Sequence, residues 1–417
     1  MTIEARQNNV LGINGLGRIG KMLLWYFIHA KHFDGIVINT GRDVGRSFKD
    51  LVHQIGTDST YGPMESFLFG LSGKKDIRII DAQEGLLEIH GLPVRVLRQS
   101  RNPKDINWKK YGVQIVVDAT GAYLDPTLAM DDAKGSIRGH LAAGARVVLA
   151  SAPFKIKDKA ASMPDDSTML IFGINHTQFD ARKHTMISAA SCTTTGLAHM
   201  IKPLLETEET ARILTASLSS IHAATNSQSV LDAVPKSAAS DLRKTRSVFN
   251  NIILSSTGAA KALEQVLPEI KRVGFMADSV RIPTTTVSLI NLNITFHSPL
   301  NDKGVPTINR AFINGLYRRA AEGPQKDLLV FSEQQNVSAD LLGVPAAAVI
   351  EGHDTHTRTG FIEVPADILR ASGVESDQPL HVPVTHAKIF GWYDNEFGSY
   401  VTSLGKLAIY VDRTLAG

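Results

Sequence analysis

Read for hydrophobic and polar positions alone, the first half of the chain is a series of short apolar runs separated by stretches of helical periodicity. Val10-Leu-Gly-Ile-Asn14 is the first run, Met22, Leu23, Leu24, Tyr26 and Phe27 follow at helical spacing, and Gly35-Ile-Val-Ile-Asn39 is a second run. Together they predict a β-α-β unit of about thirty residues. Residues 77–80, 86–89 and 94–97 read as strands joined by turns, and residues 114–118 and 146–150 as buried strands. The last two close in small polar residues, Ala119-Thr120-Gly121 and Ser151-Ala152-Pro153. Residues 168–173 and 185–188 complete the series.

The pattern then changes. Leu197, Met200, Ile201, Leu204 and Leu205 recur at helical spacing from Thr193 onward, whereas residues 212–221 and 287–296 alternate like strands with one face buried. Ser256-Thr257-Gly258 opens a further helix, residues 340–349 and 372–384 read as loop-rich insertions, and a helix closes the chain over 399–413. The pattern predicts an α/β protein: a doubly wound parallel-sheet (Rossmann) domain over residues 1–191, then an α+β domain with a mixed sheet from Cys192.

Composition narrows the class. Of 417 residues, 43% are hydrophobic and 20% charged, with a net charge of +3, which gives no reason to expect nucleic acid or membrane as a partner. The single cysteine excludes an internal disulfide framework and fits a reducing compartment. No signal segment and no membrane span is read, so the expected location is the cytoplasm.

Three stretches carry candidate chemistry. Asn14-Gly15-Leu16-Gly17-Arg18-Ile19-Gly20 is a G-x-G-x-x-G turn between strand and helix, where glycines admit a pyrophosphate to the backbone N–H groups of the helix start. Thr120, Gly121 and Ser151, at strand ends, line the crevice expected beside it. The second strand ends Asn39-Thr40-Gly41-Arg42-Asp43, without the carboxylate that usually accepts from an NAD ribose. Thr40 could donate to a 2′-phosphate that Arg42 or Arg46 neutralises; alternatively the arginines are solvated loop charges and Asp43 serves the ribose. NADP is therefore favoured over NAD. Finally, Cys192 follows Ser191, a good cap residue, at the start of a helix, a location expected to lower a thiol pKa.

Four blocks in order resemble the phosphorylating glyceraldehyde-3-phosphate dehydrogenases: Asn14 to Gly20, Ser188 to Ala198 around the cysteine, Ser256-Thr-Gly-Ala-Ala-Lys261, and Trp392-Tyr-Asp-Asn-Glu-Phe-Gly398. The resemblance implies that Cys192 is the nucleophile and His222 its base partner. It implies that Thr225 and Arg281 hold the substrate's own phosphate, that Ser191, Thr193, Thr257 and Gly258 hold inorganic phosphate, and that Asn395 fixes the nicotinamide carboxamide. It further implies glyceraldehyde 3-phosphate and inorganic phosphate as substrates in glycolysis or gluconeogenesis, and a homotetramer. Residues 192–394 would form the catalytic domain, with 395–417 packed back on the first domain. Thr40-Gly41 and Ser240-Asp-Leu-Arg243 are similar to the pattern of NADP-using members.

Ala189, Thr195 and Gly196 stand where the family usually has Asn, Asn and Cys, and Ser399-Tyr400 is exchanged relative to it. The alternatives are an erythrose 4-phosphate dehydrogenase, in which water replaces phosphate, and a non-catalytic binding or regulatory member. His353-Asp-Thr-His356 has metal-like spacing, yet no metal is expected.

Overall fold

The computed structural model describes residues 9–416. These form two compact units, one reaching to Ser191 and resuming at Glu396, the other being Cys192–Asn395.

The first unit is built on a nine-stranded sheet. Strand β1 (Val10–Asn14) leads through helix α1 (Arg18–Ala30) to β2 (Gly35–Asn39), which pairs with it in parallel. On its other side β1 pairs in parallel with Val113–Asp118. Beyond that strand lie Val147–Ala150, Met186–Ser188 and Ser167–Met169, all parallel, and beyond β2 the parallel strand Leu92–Leu97. An antiparallel edge, Leu86–Ile89 and Ile77–Asp81, finishes the sheet. The strand order reverses between β1 and Val113–Asp118, and such a switch point opens a crevice at the carboxyl ends. The central strands are buried throughout, which is why they read as unbroken apolar runs. The last helix, Thr402–Ala416, lies against α1, where Gly405 lets the Tyr26 ring approach: a Cβ there would stand 2.2 Å from it.

The second unit is a mixed sheet of strands Ile253–Ser255, Gly274–Ile282, Ile213–Ala223, Ser288–His297, Leu380–Tyr393, Ala348–Glu351 and Leu329–Ser332, in that order. His356–Val364 pairs along Leu380–Tyr393. The helix Cys192–Leu205 packs on this sheet; a Cβ on Gly196 would meet Ala347 O and Ile290 Cδ1 at 3.3 Å. The close approach leaves a side chain at Gly196 little room.

Two sequence expectations are corrected here. Residues 340–349 and 372–384 are not simply loop: Ala348–Glu351 is a strand, and Leu380–Tyr393 is a continuous fourteen-residue one. Cross-strand pairing with Ser288–His297 and His356–Val364 holds Leu380–Tyr393 together despite its polar and proline content. The closing helix starts at Thr402 because a π-helical turn, Phe397–Val401, precedes it. That turn brings the Tyr400 hydroxyl to Ala190 O at 3.2 Å.

Candidate active site

In the second unit, Ile213–Ala223 and Gly274–Ile282 run parallel in a register that sets His222 directly beside Arg281. Both therefore emerge at the same strand ends. Cys192 is the first residue of its helix, and its Sγ lies 3.5 Å from His222 Nε2. His222 Nδ1 lies 2.8 Å from Ala223 O and 2.5 Å from Arg281 Nη1, and Arg281 Nη1 also donates to Ala223 O at 3.2 Å. Among the described residues Arg281 has only these neutral partners, and its buried Nε has no acceptor. A buried cation with unspent donors is a site for an anion.

Beneath the pair is a chain of hydroxyls. Tyr393 Oη joins Thr193 Oγ1 at 2.9 Å and Ser220 Oγ at 3.0 Å, and its ring stands edge-on to His222. Burial raises the Tyr393 phenol far above its usual range, so the hydroxyl stays neutral. Ser288 Oγ accepts from Ala223 N–H and donates to Asn395 Oδ1 at 3.0 Å; Thr286 Oγ1 lies 3.4 Å from the same oxygen. With its oxygen so engaged, Asn395 has its amide nitrogen to offer. Val287, next to Ser288, adopts φ 62, a left-handed conformation that strains a β-branched residue.

The electrostatics correct the expectation for the thiol. Cys192 is half-buried as a residue, but loss of water around the sulfur pushes it above its ordinary value. The Arg281 charge and the Thr193 N–H pull the other way and do not prevail. Burial, then the Arg281 charge, lowers His222 to about 4.

The other sequence-predicted substrate residues stand on separate segments. Thr225 Oγ1 shares an exposed turn with Ser227 Oγ at 2.9 Å and Gln228 Oε1 at 3.2 Å. Thr257 Oγ1 accepts from Ala259 N–H, and Gly258 caps the helix Ala259–Val266 with open space where a Cβ would be. Ser191 directly precedes Cys192, after Ala190 at φ 56.

In the first unit, the turn from Asn14 to Gly20 has the shape a pyrophosphate needs. Gly17 is exposed at the start of α1, a Cβ on it would meet nothing within 4 Å, and no side chain caps the helix or puts an acid in its first turn. Gly20 packs against Gly15 O, which a Cβ would meet at 1.9 Å. Leu16 and Ile19 flank the turn, half-buried. Asn14 donates to Asp118 at 2.8 Å and accepts from Asn39 at 2.9 Å, so its side chain fixes strand ends. Thr120 is tied back to Asp118 at 2.6 Å, Gly121 is open at φ +66, and Ser151 N–H donates to Asp118 O. The first-unit residues fit a dinucleotide.

Two cofactor expectations change. The Arg18 guanidinium is engaged by Asp58 and Glu396, so only its backbone is at hand for a ligand. The Thr40 hydroxyl lies 2.7 Å from Arg42 O and 3.1 Å from Leu97 O and is spent on backbone acceptors rather than offered to a phosphate. Arg42 is exposed, with only a 3.4 Å bond to Asp43 O.

Sequence reasoning missed Tyr393, Ser220, Ser288 and Arg101. A tyrosine beside Asn395 in a block of marked specificity was a usable signal; the serines gave none. Arg101, whose Cγ would stand 2.7 Å from a Cβ on Gly41, is an exposed cation beside the end of β2 that only the fold brings there.

Comparison with known proteins agrees with this geometry. Residues 9–126 match the model of the glyceraldehyde 3-phosphate dehydrogenase NAD binding domain and residues 191–395 that of its C-terminal domain. The chain is 31% identical over 401 residues to glyceraldehyde-3-phosphate dehydrogenase 1 of Bacillus cereus, covering 96% of this chain and 98% of the relative. It is 32% identical to glyceraldehyde-3-phosphate dehydrogenase 2 of Bacillus subtilis, over 93% of this chain and 92% of that one. The corresponding enzyme of Borreliella burgdorferi is 31% identical over 95% of this chain and 98% of its own.

Proposed function

Because the chain belongs to the glyceraldehyde-3-phosphate dehydrogenase family, we propose that it oxidises glyceraldehyde 3-phosphate through a thioester on Cys192 and passes the acyl group to inorganic phosphate. The activity class itself, an NAD(P)-dependent phosphorylating dehydrogenase, follows from the family. The observation that carries the residue roles is the Cys192–His222 pair beside an arginine that lacks an acidic partner.

An aldehyde does not release hydride readily until a nucleophile makes its carbon tetrahedral. The Cys192 sulfur adds to the carbonyl carbon while its proton passes to His222 Nε2, which returns it to the new oxygen as a hemithioacetal hydroxyl. His222 then takes the hydroxyl proton as the C–H bond breaks, leaving a thioester. NAD(P), when bound, supplies the hydride acceptor. A phosphate oxygen attacks the thioester carbon, the C–S bond breaks to give 1,3-bisphosphoglycerate, and Cys192 regains a proton. Thr225 and Arg281 hold the substrate's phosphate, and Ser191, Thr193, Thr257 and Gly258 the incoming one. Asn395, oriented by Ser288, holds the nicotinamide carboxamide. The domain of residues 192–394 is the catalytic one, and residues 1–191 with 395–417 hold the dinucleotide.

The preference for NADP rests on the absence of an acid after Asn39 and on the cations Arg42 and Arg101. Replacing both by alanine lowers kcat/KM for NADP about tenfold or more and leaves that for NAD nearly unchanged, measured by initial rates; equal losses would remove the preference. The homotetramer is supported by the number of exposed large apolar side chains in the second unit, among them Val230, Leu231, Val234, Phe249, Ile252 and Met276. A cytoplasmic location is supported by the lone unpaired cysteine. Among the described residues no helix is long and apolar enough to cross a membrane, and no three His, Cys, Asp or Glu cluster to hold a metal.

A further inference from the structure

We propose that the second unit holds a second ligand site, remote from Cys192, which binds a small monocarboxylate in a cavity at the tails of the helices Cys192–Leu205 and Arg310–Glu322.

The cavity has a volume of about 210 Å³. That is about seven waters' share of liquid, or room for about eight heavy atoms of an organic molecule, since an apolar cavity of roughly 150 Å³ takes benzene. Cys192 opens the first of the two helices and the cavity lies at its far end, roughly 20 Å along the axis. None of Cys192, His222 and Arg281 reaches it. Its wall is apolar, made of Pro203, Leu316, Ala320 and Pro324.

The polar groups on its lining are donors left unspent. Gln325 is 1% exposed. Its Oε1, which can only accept, lies 3.3 Å from His199 Nδ1, and that bond leaves an amide nitrogen with two N–H groups. Among the described residues this buried Nε2 has no acceptor, an arrangement that folding disfavours unless something else completes it. Arg319 also lines the cavity, and its side chain is exposed. Among the described residues no ion pair engages its guanidinium, whereas the neighbouring Arg318 is held by Glu333 at 2.6 Å.

The acceptors nearby are already used. Glu206, the carboxylate on the lining, is held by Lys202 Nζ at 2.6 Å. Thr207 Oγ1 gives its proton to Pro203 O at 2.9 Å, and Thr210 Oγ1 covers Leu204 O at 2.7 Å. The carbonyls at that helix end, which would otherwise favour a cation, are thus satisfied. Free donors beside an apolar wall define the ligand: one carboxylate group, taken by Arg319 and Gln325 Nε2, on an apolar body of about three to five carbons. A phosphate would set a double charge against one arginine and leave the wall uncovered.

Butyrate is the probe. The NADP-loaded enzyme is titrated with butyrate, and the broadening of the butyrate methyl resonance is followed by NMR. Inorganic phosphate is kept in excess to fill the anion site at Arg281. Butyramide, which keeps the body and loses the charge, is run in parallel. The wild type is expected to bind butyrate with a Kd of about a few millimolar, the scale for six heavy atoms, and butyramide about tenfold more weakly. Arg319→Gln and Gln325→Leu should each weaken butyrate about tenfold, with melting temperature and kcat/KM for glyceraldehyde 3-phosphate as in the wild type. Those two controls show that each variant is folded; Arg319 is a surface residue, and leucine fills the place of the Gln325 amide without an orphaned donor. No broadening up to about 50 mM butyrate overturns the site. So does broadening that butyramide matches, or that survives both substitutions undiminished, because butyrate is then held elsewhere.

Discussion

Burial pushes the Cys192 thiol up against the pull of Arg281, whereas burial and the Arg281 charge together push His222 down. Cys192→Ser is expected to abolish turnover while leaving cofactor binding intact, and His222→Asn to slow acylation by about two to four orders of magnitude, read from burst kinetics. The histidine also writes itself into stability. Unfolded it takes a proton near 6.5, folded only near 4, so the unfolded chain binds more protons in between. Stability is complete above 6.5 and falls as the pH drops toward 4, by about 3 kcal/mol in all. Melting temperatures between pH 7 and 4 should therefore fall more steeply for the wild type than for His222→Asn; parallel curves would contradict the burial argument. The place of Cys192 at the start of a helix was legible from the residues around it. The rise in its pKa was not, because desolvation depends on what the fold stacks over the sulfur. Nor was the engagement of Arg18 and Thr40, whose partners Glu396 and Leu97 are far away in sequence.

At the scale of elements, the glycine turn before α1 separates packing from binding. Gly20→Ala drives a Cβ into Gly15 O and should both destabilise the first unit and abolish dinucleotide binding. Gly17→Ala meets no protein atom, so its melting temperature should stay within about a degree while cofactor affinity falls about tenfold, because the methyl occupies the pyrophosphate's approach. Thermal melts and fluorescence titration with NADPH would distinguish the two, and equal binding by Gly17→Ala and wild type would contradict the cradle. The parallel strands of the first unit were readable because burial on both faces writes them as apolar runs. The long strand Leu380–Tyr393 was hidden because its first residues, exposed or half-buried and interrupted by Pro383, show no alternation and are held by pairing rather than by burial.

For the molecule as a whole, exposed apolar side chains such as Val234, Ile252 and Met276 are what a subunit contact would cover. Val234→Asp combined with Ile252→Lys should give a smaller species than the wild type in sedimentation velocity; an unchanged sedimentation coefficient would put the contact elsewhere or remove it. Catalysis is most directly tested by one pre-steady-state measurement. Enzyme and NADP are mixed with glyceraldehyde 3-phosphate without phosphate, reduced cofactor is followed, and the quenched protein is weighed by mass spectrometry. The account predicts a burst stoichiometric with Cys192, an acyl adduct on the peptide that contains it, and steady turnover only once phosphate is added. Steady turnover without phosphate would mean that water takes the acyl group, as in the erythrose 4-phosphate alternative. No burst and no adduct would contradict the thioester outright.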